Sequence, residues 1–251
     1  MLKLHCFSHN YLINAANYVG PNCSIENWRI CQILKPPKIA PSLLAADFSR
    51  FGEEVERVVE SGADLLHFDV MDGEFVPNFG ISPLLIAAVR EKTDVLFDVH
   101  IMVRHPLRYI DALVDAGSDM ITFHIESDDE PNAVISTIKD HNIKVGLAFS
   151  PNIENEKVIP YLSDIDLVLP MSVEPGLGGQ AFIPSTLQKI AKLHQKIQEI
   201  DNSPEISVDG GVTVDIGPDA VREGATILVA GTAIFKSQHP KAVIEKLRTV
   251  E

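Results

Sequence analysis

The sequence predicts an α/β fold, a (β/α)8 TIM barrel, on three observations. From Lys38 onward, short β-branched or apolar runs alternate with longer amphipathic runs, the pattern of βα units feeding a parallel sheet. There are eight such pairs, and eight strands close a barrel. No Gly-rich dinucleotide fingerprint follows the first strand candidate, which argues against an open doubly wound sheet. A chain of 251 residues suits one barrel of this kind.

The strand candidates in order are KIAPS, LLHFDV, VLFDVHI, DMITFHI, KVGLAF, DLVLPM, EISVD and TILVAG. The helix candidates between and after them are FGEEVERVVESG, PLLIAAVREK, LRYIDALVDAG, NAVISTIKDHN, STLQKIAKLHQKIQEI and PKAVIEKLRTVE. Shorter stretches at 156–162 and 214–223 are compatible with the two remaining helices. Several helical runs end in Gly or Asn, as at Ser61-Gly62 and Ala116-Gly117, where a left-handed cap residue is wanted. The barrel is thus expected over residues 38–251.

Residues 1–37 differ from the rest. They show no sustained period and hold one acidic residue, Glu26, and they read as a poorly ordered N-terminal extension. They lack the layout of a secretory signal. Their poverty in acids leaves organellar targeting open, against an otherwise cytoplasmic expectation. Cys6, Cys23 and Cys31 all fall in this segment, so a disulfide framework is not expected, and their spacing matches no zinc motif. The net charge of −14 argues against nucleic acid and anionic lipid as partners. No apolar run is long enough to span a membrane.

In a (β/α)8 barrel the chemistry sits at the C-terminal strand ends. Strand side chains alternate, so His67, Asp69 and Met71 share one face of the second strand, while Leu66, Phe68 and Val70 face the helices. The third strand repeats this with Asp98, His100 and Met102 opposite Phe97, Val99 and Ile101. Asp209 tips the seventh strand in SVDGG, and Ser42 ends the first. His67, Asp69, His100 and Asp209 therefore converge on one mouth. Imidazole and carboxylate together suit one borderline divalent ion such as zinc, iron, manganese or cobalt, and a metal removes the cost of unpaired buried carboxylates. His124, at the tip of the fourth strand, reads as lining. Asp98 lies one layer deeper, as either a partner for a ligating imidazole or a structural hydrogen-bonding group. Asp72 faces away from Asp69 and reads as a loop residue shaping the turn with Gly73.

Met71, Met102 and Met171 also sit at strand ends, either as core filler or as an apolar lid that excludes water. Glycine-rich segments follow the last three strands: VEPGLGGQAF, DGGV and AGTAIF. Loops after the seventh and eighth strands of such barrels often hold phosphate through backbone donors, which lets so acidic a chain accept an anion.

These motifs resemble the ribulose-phosphate 3-epimerase family. APSLLAADFSRFGEEV, LLHFDVMDGEFVPN, FDVHIMV, MSVEPGLGGQAFIPSTLQKI, ISVDGGV and VAGTAIF occur in order from about Ile39 to the C-terminus. The resemblance implies a barrel of the ribulose-phosphate-binding type. It implies a metal-dependent enzyme of the pentose phosphate pathway that interconverts D-ribulose 5-phosphate and D-xylulose 5-phosphate, and a homo-oligomer. By position, His67, Asp69, His100 and Asp209 match metal ligands, and Asp69 and Asp209 the acid/base pair. Ser42 and His100 match substrate contacts, and Met71, Met102 and Met171 the apolar cap. Gly176, Leu177, Gly178, Gly179, Gly210, Gly211, Gly231 and Thr232 match the phosphate-binding segments. The chain departs from the family pattern at Leu177, commonly Phe, at Ala181, commonly Lys or Arg, at Thr232, commonly Ser, and at Glu74, often His. A Schiff-base aldolase would need a strand-end lysine, and a related decarboxylase an Asp-x-Lys-x-x-Asp stretch; the sequence has neither. The nearest alternative is a hexulose-phosphate 3-epimerase such as allulose-6-phosphate 3-epimerase.

Overall fold

The computed structural model describes residues 35–249; apart from residues 35–37, the extension assigned to 1–37 lies outside the described residues. Eight parallel strands form the barrel: β1 (Lys38–Pro41), β2 (Leu65–Met71), β3 (Leu96–Met102), β4 (Met120–His124), β5 (Lys144–Phe149), β6 (Leu167–Pro170), β7 (Glu205–Asp209) and β8 (Ile227–Ala230). They are hydrogen-bonded in the order β1-β8-β7-β6-β5-β4-β3-β2. A parallel bridge between Ser42 and His67 closes the seam between β1 and β2. The strand bounds lie close to those expected from sequence, and β5 and β7 coincide with KVGLAF and EISVD.

The helices are α1 (Phe51–Glu60), α2 (Pro83–Arg90), α3 (Ile110–Asp115), α4 (Pro131–Asp140), α5 (Thr186–Ile197), α6 (Gly217–Arg222), α7 (Thr232–Phe235) and α8 (Pro240–Arg248). Two depart from expectation. The segment expected as a helix at 156–162 forms 3-10 turns, Asn155–Lys157 and Ile159–Asp164; Pro160 cannot donate the bond that an α-helix would need there. The short helix α7 follows β8 where the sequence showed only a Gly-containing loop. The expected caps form: α1 is followed by Gly62 at φ +96° and α3 by Gly117 at φ +91°.

Alternation sorts the strand residues into two cores. Leu66, Phe68, Val70, Phe97, Val99 and Ile101 are buried against helical residues such as Val55, Val58, Ile86 and Val89. Inside the barrel Leu65, Met120, Leu167 and Ile227, one from each even-numbered strand, cluster with Ala40, Ala148, Leu169 and Val229. That apolar plug fills the N-terminal half and leaves the polar residues for the other end, as the layered interior of such barrels requires.

A device repeats four times at the N-terminal end. The residue just before each even-numbered strand donates its N–H to a carbonyl of the preceding odd strand, and its side chain accepts the N–H of that same residue. Asp64 clamps Ile39 this way, its N–H 2.9 Å from the carbonyl and its carboxylate 2.8 Å from the amide. Asp119 clamps Phe97 at 3.0 and 2.8 Å, and Asp166 clamps Val145 at 2.8 and 2.8 Å. Thr226 does the same for Ile206 at 2.8 and 3.1 Å. Each clamp satisfies a strand amide where the ladder begins.

Candidate active site at the C-terminal end of the barrel

Strand register builds the site. In the β2–β3 pairing His67 lies opposite Asp98, and Asp69 opposite His100. All four side chains point inward, so neighbours in register touch. His67 Nδ1 is 2.8 Å from Asp98 Oδ2, and the other oxygen of Asp98 accepts the Thr122 hydroxyl at 3.0 Å. This settles the place of Asp98: it backs His67, not His100. Thr122 has room because Gly146 stands opposite it on β5, where a β-carbon would collide with its hydroxyl. Neither Thr122 nor Gly146 is among the site residues expected from sequence, although a glycine inside the strand KVGLAF signals close approach.

With Nδ1 engaged, His67 turns Nε2 toward two carboxylates, 3.6 Å from Asp69 Oδ1 and 3.8 Å from Asp209 Oδ2. His100 presents Nδ1 to the same two oxygens, at 3.4 and 4.0 Å. These four ligand atoms lie within 4.8 Å of one another. Neither His67 Nε2 nor His100 Nδ1 has a hydrogen-bond partner, though both are buried. Two buried imidazole nitrogens without partners, facing two carboxylates, fit a divalent cation of the N/O-binding kind.

The charges of the cluster split its carboxyls. For Asp69, burial pushes upward, but the His67 charge and the nearby imidazole of His100 outweigh it and hold the carboxyl well below the usual range. The second oxygen of Asp69 accepts the Ser42 hydroxyl at 2.7 Å. For Asp209, burial dominates; His67 pulls the other way, the Asp69 and Asp98 charges add to the rise, and the carboxyl is pushed up to about 7. Burial lowers the pKa of His67, but Asp69 and Asp98 overcome that and raise it well above the ordinary value. The surroundings thus demand positive charge at this point, which a proton or a metal ion can meet.

A cavity of about 1010 Å³ opens over the cluster, with Ser42, Asp69 and Asp209 in its wall. Met71 and Met102 form one apolar group with Val76, Phe75 and Leu44, while Met171 packs in the barrel interior near Val173; all three methionines reach the cavity wall. Gly176, Leu177, Gly178 and Gly179 line it after β6, Gly210 and Gly211 after β7, and Gly231 and Thr232 after β8. Gly211, at φ +64°, lies so close to the Phe182 backbone that a β-carbon would overlap it. Asn78 joins two of the loops, its amide donating to the Gly176 carbonyl at 2.9 Å. Leu177 is 61% exposed. Lys236, one turn past Thr232, is the one lysine or arginine in the wall among the described residues; it had drawn no notice in the sequence.

Two peripheral residues resolve differently. Asp72 is the loop residue expected: its oxygens accept the N–H groups of Glu74 and Phe75 at 2.8 Å and of Arg104 at 2.7 Å, beside Gly73 at φ +77°. His124 does not line the cavity as the sequence suggested. It is fully buried behind His100, its Nε2 2.8 Å from His100 Nε2.

The sequence profile described as the ribulose-phosphate 3 epimerase family matches residues 38–235. The ribulose-phosphate 3-epimerase of Schizosaccharomyces pombe is 44% identical over 217 residues, covering 84% of this chain and 92% of that protein. That of Bacillus subtilis is 42% identical over 212 residues, covering 84% and 98%. Among solved structures, 3-hexulose-6-phosphate synthase from Salmonella typhimurium superposes with a TM-score of 0.64 over 85% of this chain and 97% of its own, at 17% identity, a likeness of fold. No helix among the described residues is long and apolar enough to cross a membrane.

Proposed function

The chain belongs to the ribulose-phosphate 3-epimerase family, and from that premise we propose that it interconverts D-ribulose 5-phosphate and D-xylulose 5-phosphate, the 3-epimerase step of the pentose phosphate pathway. The observation that carries this reading is the pair of carboxyls, Asp69 and Asp209, that share one cavity wall and face the same two unpartnered imidazole nitrogens.

Inverting a carbon next to a carbonyl needs one group to take a proton from one face and another to deliver a proton to the opposite face. One group must start ionised and the other protonated. Asp69, held ionised, takes the C3 proton. The C3–H electron pair moves into a C2–C3 double bond, and the C2 carbonyl becomes the oxyanion of a 2,3-enediolate. Asp209, protonated, then delivers its proton to C3 from the other side. The reverse reaction exchanges the two roles. Ser42 fixes one oxygen of Asp69 and so orients the carboxylate. Met71, Met102 and Met171 keep water from the carbanion-like intermediate.

His67, Asp69, His100 and Asp209 would hold one divalent ion. Bound there, it supplies Lewis-acid stabilisation to the oxygens next to the reacting carbon. Gly176–Gly179, Gly210, Gly211, Gly231 and Thr232 bring backbone toward the substrate phosphate, and Lys236 adds a positive side chain to the same wall. Ser42, in the cavity wall, would contact the sugar; His100, expected as a second substrate contact, is fully buried outside that wall and would serve as a ligand.

A coupled assay on ribulose 5-phosphate and on allulose 6-phosphate, with and without a chelator, tests the reading. Turnover of the pentose phosphate is expected to exceed that of the hexose phosphate, to vanish on chelation and to return with added divalent ion. Asp209→Asn should lower the rate by about 10³-fold or more. Chelator-insensitive activity overturns the metal assignment, and full activity of Asp209→Asn overturns the two-base scheme.

A further inference from the structure

The two histidines of the cluster are backed in different ways. His67 rests directly on a carboxylate, Asp98. His100 rests on a second imidazole: its ring meets that of His124 edge to edge, with centroids 5.0 Å apart and planes at 22°, and the two Nε2 atoms are 2.8 Å apart. Beyond His124 lies Glu126, with one carboxylate oxygen 3.6 Å from His124 Nδ1 and the other accepting the Ser150 N–H at 2.9 Å. Phe75 covers the His124 ring at 4.9 Å. His124 Nδ1 and the facing oxygen of Glu126 are both buried, and neither has a hydrogen-bond partner.

Two nitrogens at 2.8 Å need one proton between them, so the tautomers of His100 and His124 are locked together. When His100 offers its Nδ1 lone pair to a cation, its proton sits on Nε2 and is donated to His124 Nε2. The proton of His124 must then sit on Nδ1, aimed at Glu126. The opposite order puts the His100 proton on Nδ1, toward Asp69, and removes the lone pair. Glu126 favours the first order, because a carboxylate wants a donor.

We infer that His124 and Glu126 are positioning residues that set the tautomer of His100 and strengthen it as a ligand, a relay equivalent to Asp98 behind His67 but one imidazole longer. Partners of this kind change metal affinity without touching the metal. The inference rests on the reading of the cluster as a metal site, and it assigns two residues outside the four ligands to that site.

Cobalt(II) binding to the full chain tests it, by competition with a chelator and by the visible spectrum of the bound ion. Glu126→Gln keeps the shape and removes the charge. His124→Phe keeps the ring and removes the nitrogens. Each is expected to weaken cobalt binding by about 10- to 100-fold and to shift the cobalt bands, while the chelated proteins melt within a few degrees of the wild type. Wild-type affinity and spectrum in either variant that folds overturns the relay. A wild-type chain that takes up no cobalt overturns the metal site together with it.

Discussion

Carboxylates stand at both ends of this barrel, in opposite circumstances. At the N-terminal end Asp64, Asp119 and Asp166 each accept a strand amide at 2.8 Å. Asp119 and Asp64 also meet a guanidinium, that of Arg90 at 3.0 Å and that of Arg248. They stay in reach of water and leave no polar partner wanting. At the C-terminal end Asp69 and Asp209 face two imidazole nitrogens that have no partner, beside the cavity. The first arrangement lowers the energy of the fold. The second concentrates like charge and unmet polar groups, a cost that a cation or substrate would remove. Stability and reactivity are thus placed at separate ends of the same strands, as is general for these barrels.

The separation can be broken most forcefully from the stable end. Asp119→Ala and Asp166→Ala each leave a strand amide, of Phe97 or Val145, without its acceptor. A lost bond of this type costs about 0.5–1.5 kcal/mol net, more where water cannot replace it. The two clamps share no partner, so the double variant should lose about 1–3 kcal/mol by urea titration. Its turnover per folded molecule should match the wild type. A loss of turnover at unchanged stability would mean that the two ends are coupled.

From the reactive end the sign reverses. The Asp209 carboxyl is pushed up to about 7 in the folded chain, while in an unfolded chain an aspartate ionises near pH ~4. Between those values the folded state binds one more proton than the unfolded state, so this residue makes the metal-free protein less stable as pH rises from about 4 to about 7. Above that window both states are ionised and the whole penalty is present; below it both are protonated and there is none. Asp209→Asn should therefore be more stable than the wild type at pH 8 in chelator, by about 1–2 kcal/mol, with the gap closing toward pH 4. An asparagine variant less stable at pH 8 would contradict the contrast. Asp69 acts oppositely: its depressed pKa contributes stability above about pH 4 that is lost only as the pH falls further.

The two ends were also unequally legible. His67, Asp69, His100 and Asp209 could be read because period-two alternation at a strand end fixes which face a side chain takes. Alternation does not fix partners. The register of β2 against β3 decides that Asp98 serves His67, and the placement of His124 behind His100 decides that it is no lining residue. The clamps were not read at all. A single aspartate ahead of a strand, as in GAD or GSD, looks like a solvated loop residue, and only its repetition before alternate strands marks it. The helix α7 spans four residues, too few to carry a helical period, and Lys236 escaped notice with it. Pro160 was the available sign that the segment between β5 and β6 would be 3-10.

Thr226 gives the finest test, because it performs the clamp without charge. Its hydroxyl accepts the Ile206 amide at 3.1 Å, and its own N–H reaches the Ile206 carbonyl at 2.8 Å. Valine has the same shape and keeps the backbone bond but has no acceptor. If the clamps work by satisfying strand amides, Thr226→Val should cost about 1 kcal/mol or less, and the loss should hardly change with added salt. If they work through negative charge at the barrel base, Thr226→Val should cost nothing, and the cost of Asp166→Ala should shrink as salt screens it. Urea titrations of the two variants at low and high salt separate these outcomes. The geometry favours the first, because Asp166 and Thr226 hold their amides in the same way.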